Sequence, residues 1–373
     1  MSLILVDENI PAAEELLSAL GEVRRFRGRE LTSAEVKTAD ALLVRSVTRV
    51  DAQLLRGSQV QFVGSTTIGT DHLDTRWLDS AGIRWCSAPG SNANSVVDYV
   101  FSAICVLPGL LETLRGGGQA GIVGYGNVGS RLHRRLAALG VACRAYDPLL
   151  DIEQCPVSDS LEAVLNSDLV CLHTPLTRKG PHPTAGMLDA KALQALPVGA
   201  VLLNAGRGEV LPDRVLQELL VERPDLKLVL DVWEGEPDIS AELLAQCDIA
   251  TPHIAGYSQD GKWLGVTQIA QALAEHWGAT LPKVEPAFLA PAPTIRVSGE
   301  LDELALIRQA VLSVYDLRED DRRLRQTFVS GADFDELRRN YPARRELAVL
   351  EVSGQGALPE SLRQTLVALR TVV

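Results

Sequence analysis

Along the first two thirds of the chain, short apolar runs alternate with stretches whose apolar positions follow helical spacing. Leu3–Val6, Ala41–Val44, Val60–Val63, Leu169–Leu172, Ala200–Asn204, Lys227–Leu230 and Cys247–Ala250 read as strands. Ala12–Leu20, Val96–Leu107, Leu110–Arg115, Leu161–Asn166, Ala190–Leu196 and Pro212–Leu220 read as helices, with Ser95 placed to cap the second. Strands and helices that alternate this regularly predict α/β architecture with a parallel, doubly wound sheet. Lys262–Trp277 then reads as one long helix.

The texture changes after Leu281–Pro293, a linker rich in proline and alanine. Thr294–Val297, Thr327–Val329 and Leu347–Val352 look like strands, separated by helices near Leu301–Leu317 and Asp333–Tyr341, with another at Pro359–Leu369. This pattern predicts a small α+β domain of about 80 residues.

One stretch organises the rest: GIVGYGNVGSRLHRRLAALGVACRAYDP, Gly121–Pro148. Strand, Gly124, Gly126, Gly129, helix, strand and terminal acid follow in order. Gly124 permits a tight turn, Gly126 lets backbone approach a pyrophosphate, and Gly129 lets the helix pack on the strand. The helix N-terminus offers unpaired N–H groups to phosphates. Asp147 stands where a carboxylate accepts from both ribose hydroxyls of NAD and repels a 2′-phosphate. The motif predicts a site for NAD.

Composition narrows the partners. The chain has 373 residues and a net charge of −12, which argues against nucleic acid or an acidic membrane surface. An anionic substrate therefore needs local arginines. The six cysteines form no CxxC pair, so buried free thiols in a reducing cytoplasm are expected, and no metal site. No apolar stretch reaches membrane-spanning length, and the N-terminal run has no cationic flank.

The chemistry gathers at strand ends. Arg207, Glu236 and His253 follow three successive strands. Arg207 can hold a carboxylate by two parallel hydrogen bonds. His253 can take a hydroxyl proton, and Glu236 can orient the imidazole and favour its protonated form. Nearer the N-terminus, Arg45-Ser46 and Ser65-Thr66-Thr67 end two neighbouring strands and offer donors to phosphate oxygens. Arg344 and Arg345 are further phosphate candidates, reaching across from a partner subunit.

The stretches HTPLT (His173–Thr177), LLNAGRGEV (Leu202–Val210), LDVWEGEP (Leu230–Pro237) and TPHIAGYS (Thr251–Ser258) resemble the D-2-hydroxyacid dehydrogenase family. Within it, LVDENIP, LLVRSVTRV, FVGSTTIGTDHLD, APGSNANSVVDYVF and RRNYPARRE are most similar to the branch acting on 4-phospho-D-erythronate. That resemblance covers nearly the whole chain. It implies NAD-dependent oxidation to 2-oxo-3-hydroxy-4-phosphobutanoate, a step in pyridoxal phosphate biosynthesis. It also implies two Rossmann-like domains, the first discontinuous: 1–98 with 254–285 for substrate, and 99–253 for NAD. Residues 286–373 would form a dimerisation domain, giving a homodimer. Position by position, Arg207, Glu236 and His253 are catalytic. Asn127, Val128, Asp147, Thr174, Ala205, Asp231 and Gly256 join the glycines in contacting NAD, and Ser46, Thr67 and Tyr257 contact substrate. The segments Leu107–Leu110 and Gly116–Gly118 depart from the family's more polar connector.

Two rivals share much of this pattern. A phosphoglycerate dehydrogenase would carry a βαββαβ regulatory module, which the order after residue 293 does not match. An NAD-sensing corepressor keeps the same catalytic residues, but it needs docking surfaces and disordered tails that this chain lacks.

Overall fold

The computed structural model describes residues 2–297, 301–354 and 358–371. The chain divides into two compact units, Met1–Asn92 with Ser258–Ala290, and Ala93–Tyr257 with Pro291–Val373.

The first unit is built on β1 (Leu3–Asp7), β2 (Glu22–Phe26), β3 (Ala41–Val44), β4 (Phe62–Ser65) and β5 (Arg84–Cys86). They form one parallel sheet in the order β2-β1-β3-β4-β5. The central strands β1, β3 and β4 are buried along their whole length, as strands covered on both faces must be. One face packs on the helix Gln259–His276 through Val266, Ile269 and Leu273, and the other on Val36, Leu55 and Leu78.

The second unit contains β6 (Gln119–Val123), β7 (Ala142–Tyr146), β8 (Leu169–Leu172), β9 (Val201–Asn204), β10 (Lys227–Leu230) and β11 (Ile249–Ala250). Their order is β11-β10-β9-β8-β6-β7, all parallel. The order reverses between β6 and β8, and ligands of open α/β sheets bind at such a switch point, beyond the strand carboxyl ends. The two doubly wound parallel sheets are therefore both present.

The C-terminal residues differ from the sequence reading. Among the described residues they hold one two-stranded parallel sheet, β12 (Thr294–Arg296) with β13 (Glu351–Ser353). Thr327–Val329 is not a strand. Thr327 ends the helix Arg318–Thr327, which carries Arg322–Glu319 and Arg325–Asp321 ion pairs at helical spacing. Leu347–Val349 is a 3-10 turn that leads into β13. The unit holds two apolar clusters, and both include C-terminal residues. Val97, Phe101 and Ile104 of the helix Ala93–Val106 share a cluster with Ile307 and Val311 of the helix Glu303–Val314 and with Leu366 and Leu369 near the C-terminus.

Ser95 is not a cap either. The helix starts at Ala93, and the Ser95 hydroxyl donates instead to the Ala255 carbonyl at 2.8 Å. The thiols are unpaired, and burial raises every one above its ordinary value, to about 11 for Cys86 and about 12 for Cys105 and Cys143. None is a ready nucleophile. Among the described residues no helix is long and apolar enough to cross a membrane.

Candidate active site

The nucleotide loop follows β6. Gly124 takes φ 93°, a left-handed turn closed to most side chains, and donates its N–H to the Tyr146 carbonyl at 2.9 Å. A Cβ at Gly129 would lie 2.0 Å from the Gly124 carbonyl oxygen, so only glycine lets the helix Asn127–Ala138 start this close to the strand. Beside Gly126 there is open space, and no side chain caps the helix it precedes. Asp147 follows β7 and accepts from the Tyr125 N–H at 2.9 Å, which ties the acid to the glycine turn.

Two more strand ends complete this corner. A side chain at Gly124 would meet Thr174 Cγ2 at 3.0 Å, and one at Gly206 would meet the Thr174 carbonyl at 2.9 Å. Thr174 is thus wedged between the glycine loop and the Ala205-Gly206 turn. Its Oγ1 and both ring nitrogens of His173 are buried with no partner among the described residues. Buried polar groups left open, an uncapped helix N-terminus and the space at Gly126 together fit a dinucleotide.

The catalytic candidates come together in the same unit. Asn204 shapes the Arg207 turn: its Oδ1 accepts from the Gly206 N–H and its Nδ2 donates to the Arg207 carbonyl, both at 3.0 Å. A Cβ at Gly208 would sit 2.0 Å from the Trp233 carbonyl carbon, so the turn rests on the backbone leading to Glu236. Glu236 Oε1 accepts from the Trp233 N–H at 2.9 Å, and Oε2 lies 2.7 Å from His253 Nδ1. Because a carboxylate only accepts, Nδ1 carries the proton of this bond, and Nε2 is the nitrogen this bond does not use. Burial pushes the Glu236 carboxyl up, but the charge and hydrogen bond of His253, the Trp233 N–H and Arg338 hold it below its ordinary value. His253 itself has φ 56°, a conformation that costs energy in a residue with a Cβ and that collects at functional sites.

Asp231 fixes that conformation. Its Oδ1 accepts from Thr251 Oγ1 and from the Ile254 N–H, both at 2.7 Å, and its Oδ2 from the Ala255 N–H at 3.0 Å. Its carbonyl accepts from the His253 N–H at 2.8 Å. Four bonds from one residue thus hold the loop on both sides of the imidazole. Tyr257 follows on this loop, edge-on to Tyr341 with ring centroids 5.6 Å apart, and Gly256 precedes it.

Arg344 lies elsewhere than the sequence reading placed it. It is buried, its guanidinium lies 3.6 Å from the Tyr315 ring centroid, and Nη2 donates to the carbonyls of Ser95 at 2.6 Å and Ala255 at 3.3 Å. It secures the His253 loop to the neighbouring helix within its own chain.

In the first unit, Arg45 and Ser46 follow β3, and Thr67 follows β4, whose Ser65 pairs in register with Val44. Thr67 Oγ1 and His72 Nε2 each lie 2.9 Å from Ser65 Oγ, so the hydroxyls are held in a fixed row. Lys262 adds a cation that the sequence did not signal. Burial and the adjacent Arg45 charge push its ammonium down to about 8.

Comparison with known proteins identifies the fold and the family. Residues 110–255 match the family described as D-isomer specific 2-hydroxyacid dehydrogenase, NAD binding domain, and residues 289–369 match a domain of unknown function. The NAD-bound 3-phosphoglycerate dehydrogenase of Entamoeba histolytica has the same fold (TM-score 0.61, 22% identity, 74% of this chain and 96% of that one). So does the D-lactate dehydrogenase of Aquifex aeolicus in complex with NAD and lactic acid (TM-score 0.62, 22% identity, 74% and 96%). These define the class. The chain belongs to the erythronate-4-phosphate dehydrogenase family within it. It is 47% identical to that enzyme of Cellvibrio japonicus over 354 residues, covering 92% of each chain. It is 45% identical to that of Pseudomonas putida strain F1 over 380 residues, covering all of both.

Proposed function

We propose that this protein oxidises the C2 hydroxyl of 4-phospho-D-erythronate, giving 2-oxo-3-hydroxy-4-phosphobutanoate, with NAD as acceptor and within pyridoxal phosphate biosynthesis. The observation that carries this reading is the 2.7 Å Glu236–His253 pair beside the Arg207 turn, in a chain so similar to enzymes named for that substrate.

Each residue has a defined task. The Arg207 guanidinium takes the substrate carboxylate by two charge-assisted bonds. His253 Nε2 accepts the proton of the C2 hydroxyl, and Glu236 stabilises the imidazolium so formed. Bound NAD supplies the acceptor for the hydrogen and electron pair of C2. Gly124, Gly126, Asn127, Val128 and Gly129 receive its pyrophosphate, Asp147 its ribose, and Thr174, Ala205 and Gly256 its remaining polar groups. The carboxylate of Asp231 is filled by protein donors, so Asp231 serves the cofactor and substrate by fixing the loop between them. Arg45, Ser46, Thr67 and Tyr257 serve as substrate ligands. Residues 1–98 with 254–285 act as the substrate-binding domain and 99–253 as the NAD domain. Residues 286–373 carry the interface of a homodimer, which works in the cytoplasm.

The test is NADH formation from 4-phospho-D-erythronate set against 3-phosphoglycerate. Preference for the first supports the reading, and equal or faster turnover of 3-phosphoglycerate overturns it.

A further inference from the structure

We propose that Arg338, on a helix of the C-terminal segment, binds the phosphate of the substrate and so sets the preference for a phosphorylated acid. This rests on the function proposed above and deepens it.

The helix Gly331–Arg339 is seated on the loop that carries Glu236. Its first N–H, at Gly331, donates to Asp238 Oδ1 at 3.2 Å, and a side chain at 331 would fall 2.5 Å from that oxygen and 3.0 Å from the Pro237 ring. Ser330 and Asp333 close a capping box at this end, so the position is fixed. Phe334 and Arg338 stand one turn apart on one helix face. Phe334 is fully buried in the core below β10 and β11.

The Arg338 guanidinium reaches back from that anchor to the His253 loop. Its central carbon lies 5.8 Å from the Tyr257 ring centroid and 5.9 Å from that of Phe334. Arg338 hydrogen-bonds the Tyr257 side chain and feels the charges of Glu236 and Asp335, while its aromatic contacts engage the faces of the guanidinium. The Nε is buried with no partner among the described residues, and a buried donor left open is costly. Glu236 feels the Arg338 charge, yet its two oxygens are already bonded to the Trp233 N–H and to His253.

The residues that follow His253 border a small acid held at its carboxylate by Arg207 and at C2 by His253. Tyr257, with Arg338 against it, is among them. In a chain of net charge −12 a phosphate needs such local cations. Arg338 lies in the segment matched as a domain of unknown function, outside the NAD-binding match. The proposal gives that segment a part in substrate recognition.

The experiment compares Arg338→Gln and Arg338→Lys with the unaltered enzyme. It measures kcat and KM for 4-phospho-D-erythronate and for unphosphorylated D-erythronate, inhibition by inorganic phosphate, and NAD affinity. Arg338→Gln is expected to lose at least tenfold more kcat/KM on the phosphorylated substrate, chiefly through KM, and to become insensitive to inorganic phosphate. Arg338→Lys is expected to recover part of both and decides the matter alone if the Gln variant does not fold. Equal losses on the two substrates, with phosphate inhibition unchanged, overturn the proposal and make Arg338 a positioning residue for Tyr257. Failure of the unaltered enzyme to oxidise 4-phospho-D-erythronate is a different result, and sinks the assigned function itself.

Discussion

Asp231 Oδ1 accepts the Ile254 N–H at 2.7 Å, one residue beyond the imidazole of His253. With the Thr251 and Ala255 bonds to the same carboxylate, it fixes the left-handed backbone at His253. Asp231→Asn keeps the shape but replaces one accepting oxygen by a donor that faces an N–H. It is expected to destabilise the protein by about 1–3 kcal/mol, the cost of a buried group left unsatisfied. It is also expected to lower kcat more than it weakens NAD binding. Denaturant unfolding and NAD titration check the two parts. A variant of normal kcat that has lost NAD affinity would place Asp231 directly on the cofactor.

The C-terminal segment is expected to be inseparable from the second unit. Residue patterns alone suggest a removable domain beyond a proline-rich linker. The core, however, joins Val97, Phe101 and Ile104 to Ile307, Val311 and Leu366, and buried Arg344 bonds Ser95 and Ala255. A chain ending after Ala287 exposes that apolar face and should aggregate or lose cooperative unfolding. A soluble truncated protein that unfolds cooperatively and binds NAD would contradict the shared core.

Acid should weaken the fold through its buried imidazoles. Burial holds His173 down to about 4, and it holds His72 to about 4 against the opposing charge of Asp71. Both lie below the ordinary histidine value, so between about pH 6.5 and 4 the unfolded chain binds protons that the folded one refuses. Stability is therefore full above about pH 6.5 and falls as the pH drops toward 4, by about 3 kcal/mol per histidine. Unfolding free energies across this window check the slope, and His173→Gln should flatten it. An unchanged slope in that variant would show that His173 is protonated in the native state.

Much of this was legible from sequence because parallel strands covered on both faces read as unbroken apolar runs. Leu169–Leu172 and Lys227–Leu230 end where the runs end. The edge strands Glu22–Phe26 and Arg84–Cys86 were not seen, since a half-solvated edge tolerates EVRRF. The four-residue helices Ser33–Val36 and Ala52–Leu55 are held by Thr32 and Asp51 caps and leave almost no periodicity to detect. Phe328 and Val329 misled for the reverse reason. Their β-forming character is overridden because the preceding helix buries Leu324 and Phe328 turns toward that core, while Val329 is left exposed. Arg207, Glu236 and His253 were visible as polar residues at strand ends. Arg338, Lys262 and the structural use of Arg344 were not, because each depends on packing between elements distant in sequence.

The central claim is that Glu236 and His253 work as one acid–base unit, and the pH dependence of kcat/KM in Glu236→Gln tests it most directly. The amide keeps the hydrogen bond to Nδ1 but removes the charge that favours imidazolium. The acid limb of the profile should move to lower pH and the plateau rate should fall, while His253→Ala abolishes turnover and leaves NAD binding nearly intact. A Glu236→Gln profile that superimposes on that of the unaltered enzyme would contradict the account.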